Sequence, residues 1–173
     1  MGLAAVLVAA GTLASGAAAA TPAGGPIALF ATIGTGPSEK IVVAGAIGDW
    51  GKVVPVDKNG KPDDNGNFVK VTLKKGTFVI DATALNKKMA NPRPQIASDL
   101  TCSVSASGSA PVELIDGTGL YKGISGTVNV TMTFTGMGGR YQSGAKKGQC
   151  ERDENPIAML GSVAGRGTVH FSV

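Results

Sequence analysis

The stretch DGTGLYKGISGTVNVTMTF, residues 116–134, decides how this chain folds. In its second half apolar and polar side chains alternate, which is the pattern of a β-strand with one buried face and one wet face. A slip of one residue would expose the whole apolar row, so the pairing of this strand is strongly specified. The predicted inward row consists of Val128, Val130, Met132 and Phe134.

The first half of the same stretch is a corner built on glycine. Gly117, Gly119, Gly123 and Gly126 recur at short intervals there. Residues with a Cβ resist the tight bends and close backbone approaches that this spacing indicates. The sequence therefore predicts a β-chain that turns sharply and then enters a strand.

The composition of the whole chain agrees with a β-rich fold. Its 173 residues suffice for one domain, 26 of them are glycine, and only 5% are aromatic, so the core is expected to consist mainly of Val, Ile, Leu and Ala. The net charge of +4 is spread over isolated residues and lysine pairs, with no basic block. No aromatic and arginine pattern of a nucleic-acid module accompanies it, which argues against nucleic-acid binding.

The N-terminal region predicts export. Residues 1–20 carry no charged side chain and close on Ala18, Ala19 and Ala20, which fits a signal peptide cleaved near Ala20. The alternative is a buried or disordered N-terminal segment. Residues 21–26 are then a flexible leader and residues 27–173 the β-barrel domain, in a secreted or cell-envelope protein without stable membrane insertion after cleavage.

The two cysteines fit the same compartment. An even pair in an exported chain is most often a disulfide, so Cys102 and Cys150 are expected to be joined. The alternative is two free thiols. No Cys-x-x-Cys spacing and no His and Cys cluster indicates a redox or zinc site, and no metal or other cofactor is predicted.

Short strands follow one another along the rest of the chain. One helical turn is predicted over residues 82–89, because prolines just beyond it prevent its continuation. Short strands with turns every 8 to 12 residues are typical of a sandwich or a barrel. Besides the opening stretch, the predicted strands cover residues 27–33, 40–46, 68–73, 77–82, 100–106, 112–115, 157–163 and 167–173.

A polar loop over residues 57–67 is rich in Asp and Asn, which raises the question of calcium. An EF-hand needs regularly spaced oxygen ligands, a terminal glutamate and flanking helices, and this loop has neither the glutamate nor the helices. Asn-Gly is also ordinary hairpin chemistry. We expect a plain surface loop.

The segment from Gly117 to Gly126, GTGLYKGISG, resembles the Gly-Thr-Gly corner of the dirigent and allene oxide cyclase-like barrels. The resemblance implies an all-β fold, a single closed antiparallel barrel of about eight strands, whose interior can hold one small ligand. Plant members guide radical coupling or cyclise an oxylipin, often as trimers, while exported bacterial members, which this chain resembles, have largely unassigned roles. The resemblance therefore implies a homo-oligomer, with Tyr121 packing its ring at the corner.

Residues for catalysis are sparse. His170 is the only histidine and has no evident serine or acid partner, so it is expected at the surface. Asp49, Asp81, Glu113 and Asp116 are acids that could face a barrel mouth, where desolvation would raise the pKa of a carboxyl group.

Three functions are compatible with these observations. The leading hypothesis is a non-catalytic barrel that binds a small apolar ligand, with Val128, Val130, Met132, Phe134 and Tyr121 at its pocket. The second is a cyclase or dirigent-type enzyme with a carboxylate and Tyr121 or Tyr141 at the mouth. The third is a structural cell-surface component that needs no pocket.

Overall fold

The computed structural model describes residues 23–33, 39–90, 94–151 and 156–172. The predicted signal peptide lies outside these residues. Within them, no helix has the length and apolar character needed to span a bilayer. The elements are β1 (Gly25–Ile33), β2 (Glu39–Gly45), β3 (Asp49–Val56), β4 (Phe68–Leu73), β5 (Thr77–Asp81), α1 (Thr83–Met89), β6 (Pro94–Ser98), β7 (Ser103–Ile115), a 3₁₀ turn (Gly119–Tyr121), β8 (Ile124–Met137) and β9 (Ala158–Phe171).

Eight of these strands close into an antiparallel barrel, as predicted. The order around the wall is β5, β4, β3, β2, β1, β9, β8, β7. A short seam closes it, in which Val79–Asp81 pairs with residues 115 to 113 of β7. The first half of β7 pairs instead with β6, which lies outside the barrel. Helix α1 packs against β7 beside this seam.

Two strands continue through glycines at which the sequence predicted them to end. The break predicted between the strands at 100–106 and 112–115, which contains Gly108, lies in the middle of β7, and the predicted break between residues 163 and 167 lies within the 14 residues of β9. Both predictions are wrong because these glycines serve close packing, not turning. A Cβ on Gly108 would lie 2.5 Å from Sδ of Met89 in α1.

Three further boundaries differ from the expectation. β1 begins at Gly25, inside the predicted leader, where it pairs with the end of β9. No strand is predicted between residues 46 and 68, but β3 covers Asp49–Val56, and Trp50 pairs with Val42 of β2. β6 begins at Pro94, the second of the two prolines after α1, and was not predicted. The predicted helix is confirmed within one residue as Thr83–Met89.

The two ends of the barrel differ. The closed end holds the turns at 45–48 and 74–76 and the glycine corner at 116–123, and the open end holds the 57–67 loop, α1 and the connection after β8. At the corner, a Cβ on Gly117 would lie 1.7 Å from the carbonyl oxygen of Tyr121. Gly119 has a φ of +59° and a Cβ there would meet Lys75 O at 2.5 Å. The predicted corner therefore folds back on itself and covers one end of the cylinder.

The predicted disulfide between Cys102 and Cys150 is present, with a Cα–Cα distance of 5.3 Å. It joins the turn before β7 to the connection between β8 and β9. The guanidinium of Arg140 supports the same junction, since it donates hydrogen bonds to the carbonyl oxygens of Asp99, Leu100 and Gly148. A covalent bond and an arginine clamp thus hold this connection against the barrel wall.

Candidate functional site

The main cavity lies inside the barrel and opens at its open end, with a volume of about 970 Å³. Its wall comes from side chains of all eight barrel strands. The least exposed wall residues are Leu29, Ile41, Val112 and Val130, and Ala31, Met132 and Val163 are half-buried. The deep wall is therefore aliphatic.

The five residues predicted to line a pocket divide into two groups. Val130, Met132 and Phe134 lie on the cavity wall. Val128 points inward as well, but it is fully buried in the core and does not reach the cavity. Tyr121 lies at the closed end, also fully buried, and is not a cavity residue. The alternating row thus runs from the packed core at one end to the cavity at the other.

Glycines on the inner face of β9 set the shape of this wall. A Cβ on Gly161 would meet the ring of Phe134 at 3.0 Å, and one on Gly165 would meet Cγ atoms of Val128 and Val130 at 2.8 Å. The large β8 side chains therefore lie across the backbone of β9 instead of extending straight into the barrel.

The mouth of the cavity is partly covered by α1 and the loop before β4. The side-chain amide of Asn86 donates a hydrogen bond of 3.1 Å to the carbonyl oxygen of Gly66 and lies 3.3 Å from Oδ1 of Asn67. Leu85 of the same helix is buried against the core. Polar residues are confined to this rim, namely Glu39, Asp64, Asn65, Asn67, Thr83, Asn86 and Lys87.

The closed end holds a buried carboxylate and a buried phenol. The Tyr121 hydroxyl donates a 2.6 Å hydrogen bond to Oδ2 of Asp49, which also accepts the backbone N–H of Lys75. The other oxygen of Asp49 accepts the N–H of Trp50. Phe78 packs edge-on against the Tyr121 ring, with centroids 5.8 Å apart. Asp49 is only 7% exposed, and all of its contacts here are donors.

These contacts fix the protonation states of the pair. Burial raises the pKa of Asp49, but the hydrogen bonds from Tyr121, Trp50 and Lys75 outweigh it, so its pKa is below the ordinary value. Burial, together with the hydrogen bond to Asp49 and its charge, raises the pKa of Tyr121. At neutral pH the carboxylate is charged and the phenol neutral, and neither group faces the cavity. The pair is suited to holding the closed end together, not to moving protons.

Two of the other candidate acids, Asp81 and Glu113, are cross-strand partners at the seam between β5 and β7. Asp81 is half-buried and accepts the backbone N–H of Thr83, ahead of α1. Glu113, Asp116 and His170 are exposed. Tyr141 lies beside the disulfide, where the ammonium of Lys146 sits 5.3 Å from its ring centroid. None of the four acids or His170 lies on the cavity wall.

The Asp-rich loop uses its carboxylates internally. Asp57 accepts the backbone N–H groups of Asn59 and Lys61, and Asp63 accepts that of Asn65. The hydrogen bonds from Lys61 and Asn59, chiefly that from Lys61, lower the pKa of Asp57. Across the described parts of the chain, no group of three or more His, Cys, Asp or Glu residues is arranged to hold a metal ion.

Sequence reasoning missed the helix and loop that cover the mouth as parts of the site. Leu85 and Met89 are four residues apart, a spacing that places them on one helical face, and this was the available indication that α1 packs on the barrel. The glycines at 161 and 165 are likewise spaced by an even number, so they share one face of a strand.

Comparison with protein-family models, with curated proteins and with solved structures finds no match to this chain.

Proposed function

We propose that this protein binds a small apolar molecule inside the open half of the barrel. The observation that carries the proposal is the cavity of about 970 Å³ with its aliphatic deep wall. Ligand sites in proteins are typically concave, of about 300 to 1,000 Å³, and lined mainly by apolar side chains. An apolar guest would remove this wall from water, which is favourable by roughly 25 cal/mol for each Å² of apolar surface buried.

The position of the polar groups supports a neutral, mostly apolar ligand. The two acidic wall residues, Glu39 and Asp64, and the lysine, Lys87, belong to the rim. A charged group carried deep into the barrel would lose its hydration and meet only aliphatic side chains, which is costly. A ligand with an apolar body and a polar end fits this distribution, because its polar end can stay at the rim.

A neutral fluorescent dye tests the proposal directly. N-phenyl-1-naphthylamine fluoresces when it enters an apolar site, and we expect the wild-type protein to bind it with saturation. Ala31 lies on the cavity wall between Ile41 and Val163, so Ala31→Phe should fill the space and weaken binding by at least about tenfold. Thr127 is exposed on the outside of β8, where it pairs with Thr168, so Thr127→Phe is the control and should bind as wild type does.

Circular dichroism and thermal unfolding must first show that both variants fold. The absence of saturable dye binding by the wild-type protein would contradict the proposal. Equal binding by a folded Ala31→Phe variant would also contradict it, because the dye would then occupy another surface.

Export is part of the same proposal. The disulfide between Cys102 and Cys150 supports it, because such bonds persist in oxidising compartments. The uncharged residues 1–20 with their alanine end support it as well. N-terminal sequencing of protein recovered from the medium or the cell envelope should give a start near Thr21, and an intact residue 1 in that fraction would contradict cleavage.

A further inference from the structure

Three large apolar side chains lie side by side on the outside of the barrel. Phe30 of β1 pairs with Val42 of β2, and Val42 pairs with Trp50 of β3. Their side chains are 52%, 54% and 57% exposed, respectively. Exposed apolar residues are normal when scattered, but a contiguous group on one face indicates an interaction surface. We refer to these three residues as the outer row.

Cations surround the outer row. Lys40 and Lys52 pair with each other, two residues from the Val42 and Trp50 pair on β2 and β3, and both lysines are exposed. Lys74 lies at the Trp50 end of the row, and Arg166 is exposed on β9 opposite Ala28. Lys70 on β4 is exposed on the same side.

Carboxylates are missing from this face over the described residues of β1, β2, β3, β4 and β9. The two acids in these strands both point inward. Glu39 lies on the cavity rim, and Asp49 is buried at the closed end. The outer face therefore has an apolar centre flanked by positively charged side chains.

We propose that this face docks on a membrane surface that contains anionic lipid headgroups. Apolar side chains flanked by Lys and Arg are the arrangement that binds at the bilayer interface, where the apolar groups enter the boundary between headgroups and acyl chains. Lysine stems extend along such a surface while the ammonium groups meet the lipid charges. Trp50 is of the residue type most favoured at this depth.

Two other occupants fit the face less well. A second copy of the chain using the same face would bring five cations against five, without a carboxylate to pair them. An acidic polymer would satisfy the cations but would leave Phe30 and Val42 without a partner. The ammonium of Lys74 also lies 4.4 Å from the Trp50 ring centroid, so that side of the ring is covered against stacking by a base or sugar. A lipid surface uses both the charges and the outer row.

Trp50 reports on docking without any label, because it is the only tryptophan in the chain. Vesicles of phosphatidylcholine with about a third phosphatidylglycerol should bind the protein in co-sedimentation and shift the Trp50 emission to shorter wavelength. With vesicles of phosphatidylcholine alone, both the co-sedimentation and the shift of the Trp50 emission should be much smaller. Every variant keeps the same N-terminal residues, so the apolar stretch at 1–20 contributes equally throughout.

Paired substitutions distinguish binding through this face from attraction by the net charge of the protein. Lys40→Gln with Lys52→Gln should weaken binding to anionic vesicles by about thirtyfold, since each lysine near such a surface contributes roughly a factor of five. Lys122→Gln with Lys147→Gln changes the net charge equally at two exposed positions away from the face, and should weaken it by less than about threefold. Phe30→Ser with Val42→Ser should abolish the emission shift.

Several results would overturn the proposal. One is an unshifted Trp50 emission with anionic vesicles. Another is equal weakening by the two lysine pairs, which would indicate attraction by net charge alone. A third is tighter binding to soluble polyphosphate than to anionic vesicles, which would identify the partner as an acidic polymer. If a variant fails to fold, the wild-type emission and polyphosphate measurements still decide the matter.

Discussion

The Tyr121 hydroxyl donates a 2.6 Å hydrogen bond to the carboxylate of Asp49, a residue 72 positions earlier in the chain. The bond joins the glycine corner to the first residue of β3 across the closed end of the barrel. Both side chains are buried, and Asp49 accepts two backbone N–H groups in addition. The pair is therefore the tie that holds the corner over the barrel end.

Loss of this hydrogen bond should destabilise the fold. We expect Tyr121→Phe to lower the free energy of unfolding by about 1.5 to 3 kcal/mol, because the bond has a charged acceptor. Asp49→Asn should cost a similar amount, since an amide oxygen cannot accept all the donors that converge there. Urea unfolding of both single variants and of the double variant should show a coupling of about 1 to 2 kcal/mol. Additive effects would contradict a direct tie, and Glu113→Gln, at an exposed acid, is the control.

Stability should fall in acid because of Asp49. Its pKa in the folded protein is below the ordinary value of 3.8, so the unfolded chain binds the proton more readily. The contribution of Asp49 is present above that ordinary value and is lost as the pH falls through the lower folded pKa. Urea unfolding at successive pH values should give a shallower acid slope for Asp49→Asn than for wild type. Asp57 also has a lowered pKa and is present in both wild type and Asp49→Asn, so it gives both proteins some acid slope. Identical acid slopes for the two proteins would show that Asp49 does not contribute.

Stability should also fall in strong base because of Tyr121. Its folded pKa is raised above the ordinary value of 10.0, so the unfolded chain loses the proton first. The stabilisation is complete below that value and declines as the pH rises above it. Tyr121→Phe should remove this decline, and Tyr141→Phe, in the disulfide region, should retain it. Equal alkaline slopes for wild type and Tyr121→Phe would contradict the prediction.

Removal of the disulfide should weaken the barrel without abolishing it. The bond closes 48 residues of chain, and we expect Cys102→Ser with Cys150→Ser to lower the free energy of unfolding by about 2 to 4 kcal/mol. The Arg140 clamp still holds the connection in the folded state, so far-UV circular dichroism should be unchanged. Arg140→Ala in the disulfide-free background should then cost more than in wild type. Equal costs in both backgrounds would show that the two ties act independently.

A methyl group on Gly165 should strain the wall between β8 and β9. Its Cβ would lie 2.8 Å from side-chain carbons of Val128 and Val130, and the backbone oxygen of Asn129 is at 3.1 Å. Gly165→Ala should therefore cost about 1 to 3 kcal/mol in thermal or urea unfolding. Ser162→Ala, at an exposed position of the same strand, should change stability by less than about 0.5 kcal/mol. A neutral Gly165→Ala would show that the valines repack without strain.

Local patterns predicted most of the strands and the corner. The alternation from Val128 to Phe134 faces inward as predicted, because side-chain direction in a strand follows from neighbouring residues alone. The disulfide was predicted from two residues and the expected compartment. The kinship with the dirigent and allene oxide cyclase-like barrels stays a prediction, since no comparison tests it.

Contacts between distant segments could not be predicted in the same way. Nothing near Asp49 in sequence indicates that Tyr121 will bind it, so the sequence predicts only that Asp49 is one of the acids that could face the mouth. Glycine permits either a turn or close packing, and only the partner strand decides between them. Gly108 and Gly165 were therefore assigned to breaks, although they allow Met89 and the β8 valines to approach.

The seam between β5 and β7 joins the cylinder over only three residue pairs. Beyond it, the seven-residue helix α1 packs against β7. Among the described residues, the Asn86 side chain and the main-chain N–H of Ala82 donate hydrogen bonds from this region to the 57–67 loop. A bulky guest entering from the side would need to displace that helix, while the main-chain ladders between strands stayed whole. Side-chain packing, chiefly that of Leu85 in the core, therefore closes this flank where main-chain pairing between strands does not.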